Sequence, residues 1–363
     1  MTNKKSRRSF IAKSALAAGG IFSLERFPHS LALEEKREGN QRLTLKQLKQ
    51  WEAMQYGMFI HFGMSTFTGD ELDNGRSDAK RYTPVNPDPD QWMAVAKEAG
   101  MKYAILSTKH VAGHCLWPSK HTNYTVANST NTKDVVGAFV DACRKYGIKP
   151  GFYYCSWDNH NTFGSKTPSM AKWNKLMNSF PQDPNMELPY TSSMYQNFQT
   201  AQIEELLTQY GPISEIWVDI PGVLGRGYRT FLYQHVSNLQ PDCVIMMNSG
   251  ISTGENYDVD YAWPSDLIAI ERNLPQDGGH KKWREIEGKT YYMPGEVCDP
   301  IGKHWFFVEG DHPRSDEDLR NQYLSVTQRG ANLLLNVPPD KNGVIPDMHV
   351  KALLNLKKNA GIK

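Results

Sequence analysis

The chain has 363 residues, with 41 Lys and Arg set against 39 Asp and Glu. So close a balance argues against nucleic acid or a strongly acidic partner. The length suits one large barrel domain or two ordinary ones, and the aromatic content of 11%, with nine Trp and seventeen Tyr, suits stacking on sugar rings as well as a large core.

The N-terminus reads as an address rather than as part of the fold. Ser6-Arg7-Arg8-Ser9-Phe10-Ile11 precedes a weakly apolar, Ala- and Gly-rich run from Ala12 to Leu24, the form of a twin-arginine export signal. The run is too short for a membrane span. Ser30-Leu31-Ala32 offers small residues for cleavage, so the expected division is a signal over 1–32 and a catalytic domain over 33–363. The expected location is periplasmic or extracellular, in a bacterium.

Residues 42–56 read as an amphipathic helix leading into the fold. Apolar runs then alternate with helical segments. The expected strands are 57–63, 103–108, 149–155, 215–220, 244–248, 267–271, 291–297 and 332–337. Helices are expected over 89–99, 133–147, 195–210, 227–239, 315–329 and 346–358. Strands alternating with helices in this number indicate a single α/β domain, a (β/α)8 TIM-like barrel. The connection over 156–194 is long and rich in Asn, Ser and Pro, and loops of that length in a compact domain are usually functional. The cysteines, Cys115, Cys143, Cys155, Cys243 and Cys298, are odd in number and widely spaced. They fit neither a zinc pattern nor a disulfide scaffold and read as small core residues.

A barrel enzyme keeps its site at the C-terminal ends of its strands. There the sequence places His61, Lys109-His110, Tyr153, Trp157 and Asp158, Trp217 and Asp219, Asn248, Glu271-Arg272, and finally Glu296, Cys298 and Asp299. In Glu215-Ile216-Trp217-Val218-Asp219 the β-branched residues share one face of the strand, and Trp217 and Asp219 share the other. Singly, each has a duller explanation: Asp219 could cap a helix, His61 could be a core histidine, and Arg272 could pair with Glu271 on the surface. As a set they put carboxylates from different strands inside a ring of His, Trp, Tyr and Arg. Two carboxyls across one bond suit glycoside hydrolysis. No HExxH or HxH spacing supports a metal, and neither a GxSxG elbow nor a P-loop is present.

From Trp51 to Asp347 the chain resembles the α-L-fucosidases of glycoside hydrolase family 29. The resemblance is carried by Gly57-Met58-Phe59-Ile60-His61-Phe62-Gly63, by Lys109-His110-Val111-Ala112-Gly113-His114-Cys115-Leu116-Trp117-Pro118-Ser119 and by Glu215-Ile216-Trp217-Val218-Asp219. Pro294-Gly295-Glu296-Val297-Cys298-Asp299 and Asn332-Leu333-Leu334-Leu335-Asn336-Val337-Pro338-Pro339 complete it. It implies a retaining exo-glycosidase acting on fucosylated oligosaccharides or polysaccharides, with no metal and no organic cofactor. It implies Asp219 as nucleophile and Glu296 as general acid/base, their oxygens about 5–5.5 Å apart. His61, Glu71, His110, Tyr153, Trp217 and Arg272 would hold the sugar. Three features depart from the family pattern: His110-Val111 replaces a pair of histidines, Glu71-Leu72 replaces Glu-Trp, and the C-terminal β-sandwich is expected to be missing. The first two make a related or sulfated sugar, such as an α-L-galactoside or a fucoidan fragment, the alternative substrate. A sugar-binding protein without catalysis is the rival of another class.

Overall fold

The eight barrel strands are short and almost wholly buried, as expected of apolar runs enclosed by helices on one side and by one another on the other. The structure is a computed structural model that describes residues 39–161 and 193–363. The export signal, and residues 162–192 of the long connection, lie outside the described residues. A first helix, α1 (Leu45–Glu52), begins where Thr44 and Gln47 form a reciprocal capping box. It leads into β1 (Tyr56–Ile60), short α2 (Met64–Thr68), α3 (Pro89–Glu98), β2 (Tyr103–Lys109), α4 (Val135–Tyr146) and β3 (Lys149–Cys155). After the undescribed stretch come α5 (Ser193–Gln209), β4 (Glu215–Asp219), α6 (Arg226–Leu239), β5 (Val244–Met247), one-turn α7 (Val259–Ala262) and β6 (Ile268–Glu271). The chain continues through β7 (Trp283–Ile286), β8 (Lys289–Tyr292), β9 (Gly295–Pro300), α8 (Asp316–Gln328), β10 (Ala331–Asn336) and α9 (Asp347–Ala360).

Eight of these strands form one parallel sheet in the order β5-β4-β3-β2-β1-β10-β9-β6. The (β/α)8 barrel is therefore nearly closed, and β5 and β6 are its two end strands. The segment before β6 bridges them through backbone and side chains. The Asp266 amide donates to the Ile245 carbonyl at 2.8 Å. The Asp266 carboxylate accepts from the Ile245 amide at 2.9 Å, and Ser265 Oγ accepts from the Met247 amide at 3.0 Å. Arg42 Nη2 and the Tyr233 hydroxyl bind Asp266 from outside.

One strand boundary differs from the expectation. The run 291–297 is divided at Met293-Pro294. Tyr291 and Tyr292 belong to β8, which pairs antiparallel with β7 in a separate two-stranded ribbon, while the barrel strand proper is Gly295–Pro300. Proline lacks the N–H that a central ladder needs, so the barrel strand starts after it. The shift moves Glu296 from the end of a strand to the second residue of one.

Candidate functional site

Strand β4 provides the first carboxylate. Ile216 and Val218 are fully buried, whereas Trp217 and Asp219 line a cavity of about 300 Å³ at the C-terminal ends of the strands. Both oxygens of Asp219 are held: Oδ2 accepts from the Tyr153 hydroxyl and Oδ1 from Asn248 Nδ2, each at 2.7 Å. Burial raises the pKa of Asp219 above its ordinary value, and the bonds from Asn248 and Tyr153 pull it back. The next residue, Ile220, has φ of 49°, a left-handed conformation that a β-branched side chain adopts only under strain. The chain thus turns sharply into Pro221-Gly222. A Cβ on Gly222 would lie 2.0 Å from the Tyr261 ring, so glycine lets that ring close in beside the cavity it lines.

The second carboxylate of the cavity is Glu271, the last residue of β6. Asn248, just beyond β5, donates from the same Nδ2 to Asp219 Oδ1 at 2.7 Å and to Glu271 Oε2 at 3.0 Å, so those two oxygens are no farther apart than 5.7 Å, the sum of the two bonds. Burial, and next the charge of Asp219, push Glu271 up to about 7. A group at that pKa carries a proton for an acid and can give it up for a base.

A ring of side chains surrounds the pair. His61 is buried, and its Nδ1 lies 2.8 Å from Asn336 Oδ1. Asn336 Nδ2 donates to the Trp305 carbonyl, which assigns the oxygen to the His61 side. His61 Nδ1 therefore carries the proton, leaving Nε2 as an acceptor. Burial lowers the His61 pKa to about 4, so the ring is neutral. His110 stacks on Tyr153 with centroids 5.6 Å apart and is held neutral by burial and by His61. Glu71 lines the same cavity; burial raises its pKa, and Arg272 and His304 oppose the rise. Tyr153 and Trp217 stack at 5.6 Å.

Two expected site residues are elsewhere. Glu296 is 1% exposed and does not line the cavity. Its Oε1 accepts from the Tyr103 hydroxyl at 2.6 Å, and its Oε2 from Trp217 Nε1 at 3.0 Å. It lies behind the Trp217 indole because it stands near the start of its strand, and the expected approach to Asp219 falls instead to Glu271. Arg272 also stays out of the lining. Its guanidinium packs 4.9 Å from the Trp305 ring and donates to the Lys303 carbonyl, so it backs an aromatic wall. From the sequence, Glu271 stood only behind Glu296, with Asp299, as a candidate acid, Asn248 was placed at a strand end without a role, and Tyr261 and Trp305 were missed. Asn248 and Glu271 were signalled only by position at the ends of β5 and β6, Trp305 follows β9 by five residues, and Tyr261, in α7, had no such signal.

Among the described residues, no group of three or more His, Cys, Asp and Glu is arranged to hold a metal ion, and no helix is long and apolar enough to cross a membrane.

The family model described as alpha-L-fucosidase matches residues 74–359. The chain belongs to the α-L-fucosidase family. Alpha-L-fucosidase 1 of Arabidopsis thaliana is 29% identical over 332 residues, covering 86% of this chain and 59% of that protein. A putative α-L-fucosidase 1 of Oryza sativa is 29% identical, covering 83% of the chain and 56% of its own length. The chain thus spans less than two thirds of these curated relatives. Among solved structures, α-L-fucosidase isoenzyme 1 from Paenibacillus thiaminolyticus superposes with a TM-score of 0.68 at 26% identity, covering 86% of this chain and 75% of that one. A putative α-L-fucosidase from Bacteroides thetaiotaomicron gives 0.67 at 28%, covering 86% and 66%. The barrel is therefore the fold of this family's solved members.

Proposed function

We propose that this protein is an exported retaining exo-α-L-fucosidase in which Asp219 is the nucleophile and Glu271 the general acid/base. The observation that carries the reading is the single Asn248 amide group bonded to both carboxylates, which limits their separation to 5.7 Å. Retaining glycosidases work at about 5–5.5 Å, whereas inverting ones need roughly 6.5–9.5 Å to admit a water between carboxyl and carbon. In the first step an Asp219 oxygen bonds to the anomeric carbon while Glu271 gives its proton to the departing glycosidic oxygen. In the second, Glu271 takes a proton from water, and that water's oxygen replaces Asp219 on the carbon. His61 Nε2 accepts a sugar hydroxyl, and Trp217 supports the ring.

Azide tests the assignment. Asp219→Gly leaves space for azide to attack directly, giving a β-linked glycosyl azide. Glu271→Ala still forms the glycosyl-Asp219 ester, and azide opens it to the α-linked product. Rescue of neither variant by azide, with wild type active, refutes the roles.

The wall formed by Leu72 and Val111, both lining the cavity, favours a second reading, in which the sugar is substituted or related to fucose. An apolar contact discriminates by only about 1–3 kcal/mol per group, so this wall rejects a decorated sugar weakly. Comparing simple aryl α-L-fucosides with α-L-galactosides and sulfated fucosides decides it; a simple fucoside that outpaces every other substrate removes this reading. Export rests on Arg7-Arg8 and the apolar run that follows.

A further inference from the structure

Below the Trp217 indole lie two carboxyl groups that the reaction above does not use. Glu215 is 0% and Glu296 1% exposed. Glu296 accepts from Tyr103 and Trp217, one donor to each oxygen. Glu215 Oε2 accepts from Trp51 Nε1 at 2.8 Å. Its other oxygen, Oε1, is buried and has no donor. As part of an ionised carboxylate, that atom would carry charge in the barrel interior with nothing to stabilise it. As a hydroxyl it becomes a donor, and the adjacent carboxylate of Glu296 is its acceptor. Burial, and then the charge of Glu296, hold the Glu215 pKa well above its ordinary value. Other titratable groups near the pair are Tyr103 of β2, Cys298 of β9, and, at the β5–β6 seam, Asp266 and Cys243 with Arg42 bound to them. Arg42 is bound to Asp266, and among the described residues no cation forms an ion pair with Glu215 or Glu296, so a shared proton is what relieves the repulsion.

We infer that Glu215 and Glu296 share one proton and together act as positioning residues, fixing the Trp217 indole as the floor of the sugar site. Glu296 holds the indole N–H, Trp217 stacks on Tyr153, and Tyr153 holds Asp219. A tilt of the indole reaches the nucleophile through that stack. Tyr103 and Trp217 each have a single N–H or O–H to give, so the charge belongs on Glu296 and the proton on Glu215. The shared proton is independent of the fucosidase reading; only the kinetic part of the test rests on it.

The experiment compares wild type with Glu215→Gln, Glu215→Leu and Glu296→Leu. The infrared spectrum of wild type minus that of Glu215→Gln at neutral pH should show a protonated-carboxyl stretch, the contribution of Glu271 being common to both proteins and cancelling. The Gln amide N–H can replace the shared proton, so Glu215→Gln should stay within about threefold of wild-type kcat on an aryl α-L-fucoside. Glu215→Leu and Glu296→Leu should lose about 10²-fold, the scale on which misplacement by an ångström acts. Azide should restore neither, because the acid/base remains in place. No such stretch in the difference between wild type and Glu215→Gln, a Gln variant as impaired as the Leu variant, or azide rescue of Glu296→Leu would overturn the inference. If wild type cleaves no fucoside, the proposed function falls, and the infrared comparison still decides the shared proton.

Discussion

Replacing Asp219 with Asn should lower the pKa of Glu271 from about 7 to about 5. The facing oxygens are at most 5.7 Å apart. At an effective dielectric of about 20, two unit charges at that distance repel by about 3 kcal/mol. Since 1.36 kcal/mol is one unit, this corresponds to a downward shift of about two pKa units. The sign follows from the cause: the negative charge of Asp219 disfavours ionisation of Glu271, and a neutral Asn removes that cost while keeping the shape. Carbon-13 titration of labelled Glu carboxyls, in wild type and in Asp219→Asn, reads the shift directly. A change under half a unit would refute the reasoning, because the two groups would then not sense each other. The same arithmetic applies once Asp219 is esterified and uncharged. In the proposed mechanism Glu271 would then ionise more readily just when it must accept a proton from water.

Three further outcomes are expected. Asp266→Ala breaks the buried pair with Arg42 and the bond its carboxylate accepts from the Ile245 amide, and should cost about 3–5 kcal/mol of stability, read by denaturant unfolding; a loss under about 1 kcal/mol would show that the seam is held otherwise. His61 has its pKa lowered from 6.5 to about 4, so the unfolded chain binds the extra proton first; stability should be full above pH 6.5 and fall by up to about 3 kcal/mol as pH drops through 4, a slope that His61→Gln should flatten. Changing Arg7 and Arg8 together to Lys should trap precursor in the cytoplasm, as fractionation and immunoblotting would show; unchanged export would dismiss the twin-arginine reading.

Much of the barrel could be read from the chain because each strand is a short apolar run between turn signals, and burial on both faces demands such a run. Asp219 was legible for the same reason: strict alternation through Ile216, Trp217 and Val218 fixed which face it shares. Glu296 misled because Tyr291-Tyr292-Met293 looks like the body of a strand and makes Glu296 look like its end. The proline that divides the run was present, but the β7–β8 ribbon that takes its first half has no apolar alternation strong enough to announce it. Asn248 and Glu271 illustrate the other gap. They face each other across β5 and β6, a join without a backbone ladder, and which side chains meet across it depends on the register of the whole barrel, which no local pattern carries.

The seam has a consequence for how activity is lost on heating. Everywhere else a continuous backbone ladder ties each barrel strand to its neighbour, whereas β5 and β6 are tied mainly through side chains of Ser265 and Asp266. Local openings begin where the fewest backbone bonds must break. Asn248 stands on one lip of this join and Glu271 on the other, so a partial opening parts the amide from the carboxylate while the helices and the remaining ladders stay intact. Catalysis should therefore fade at temperatures where circular dichroism still reports a fully folded barrel, and a disulfide across the join should bring the two temperatures together.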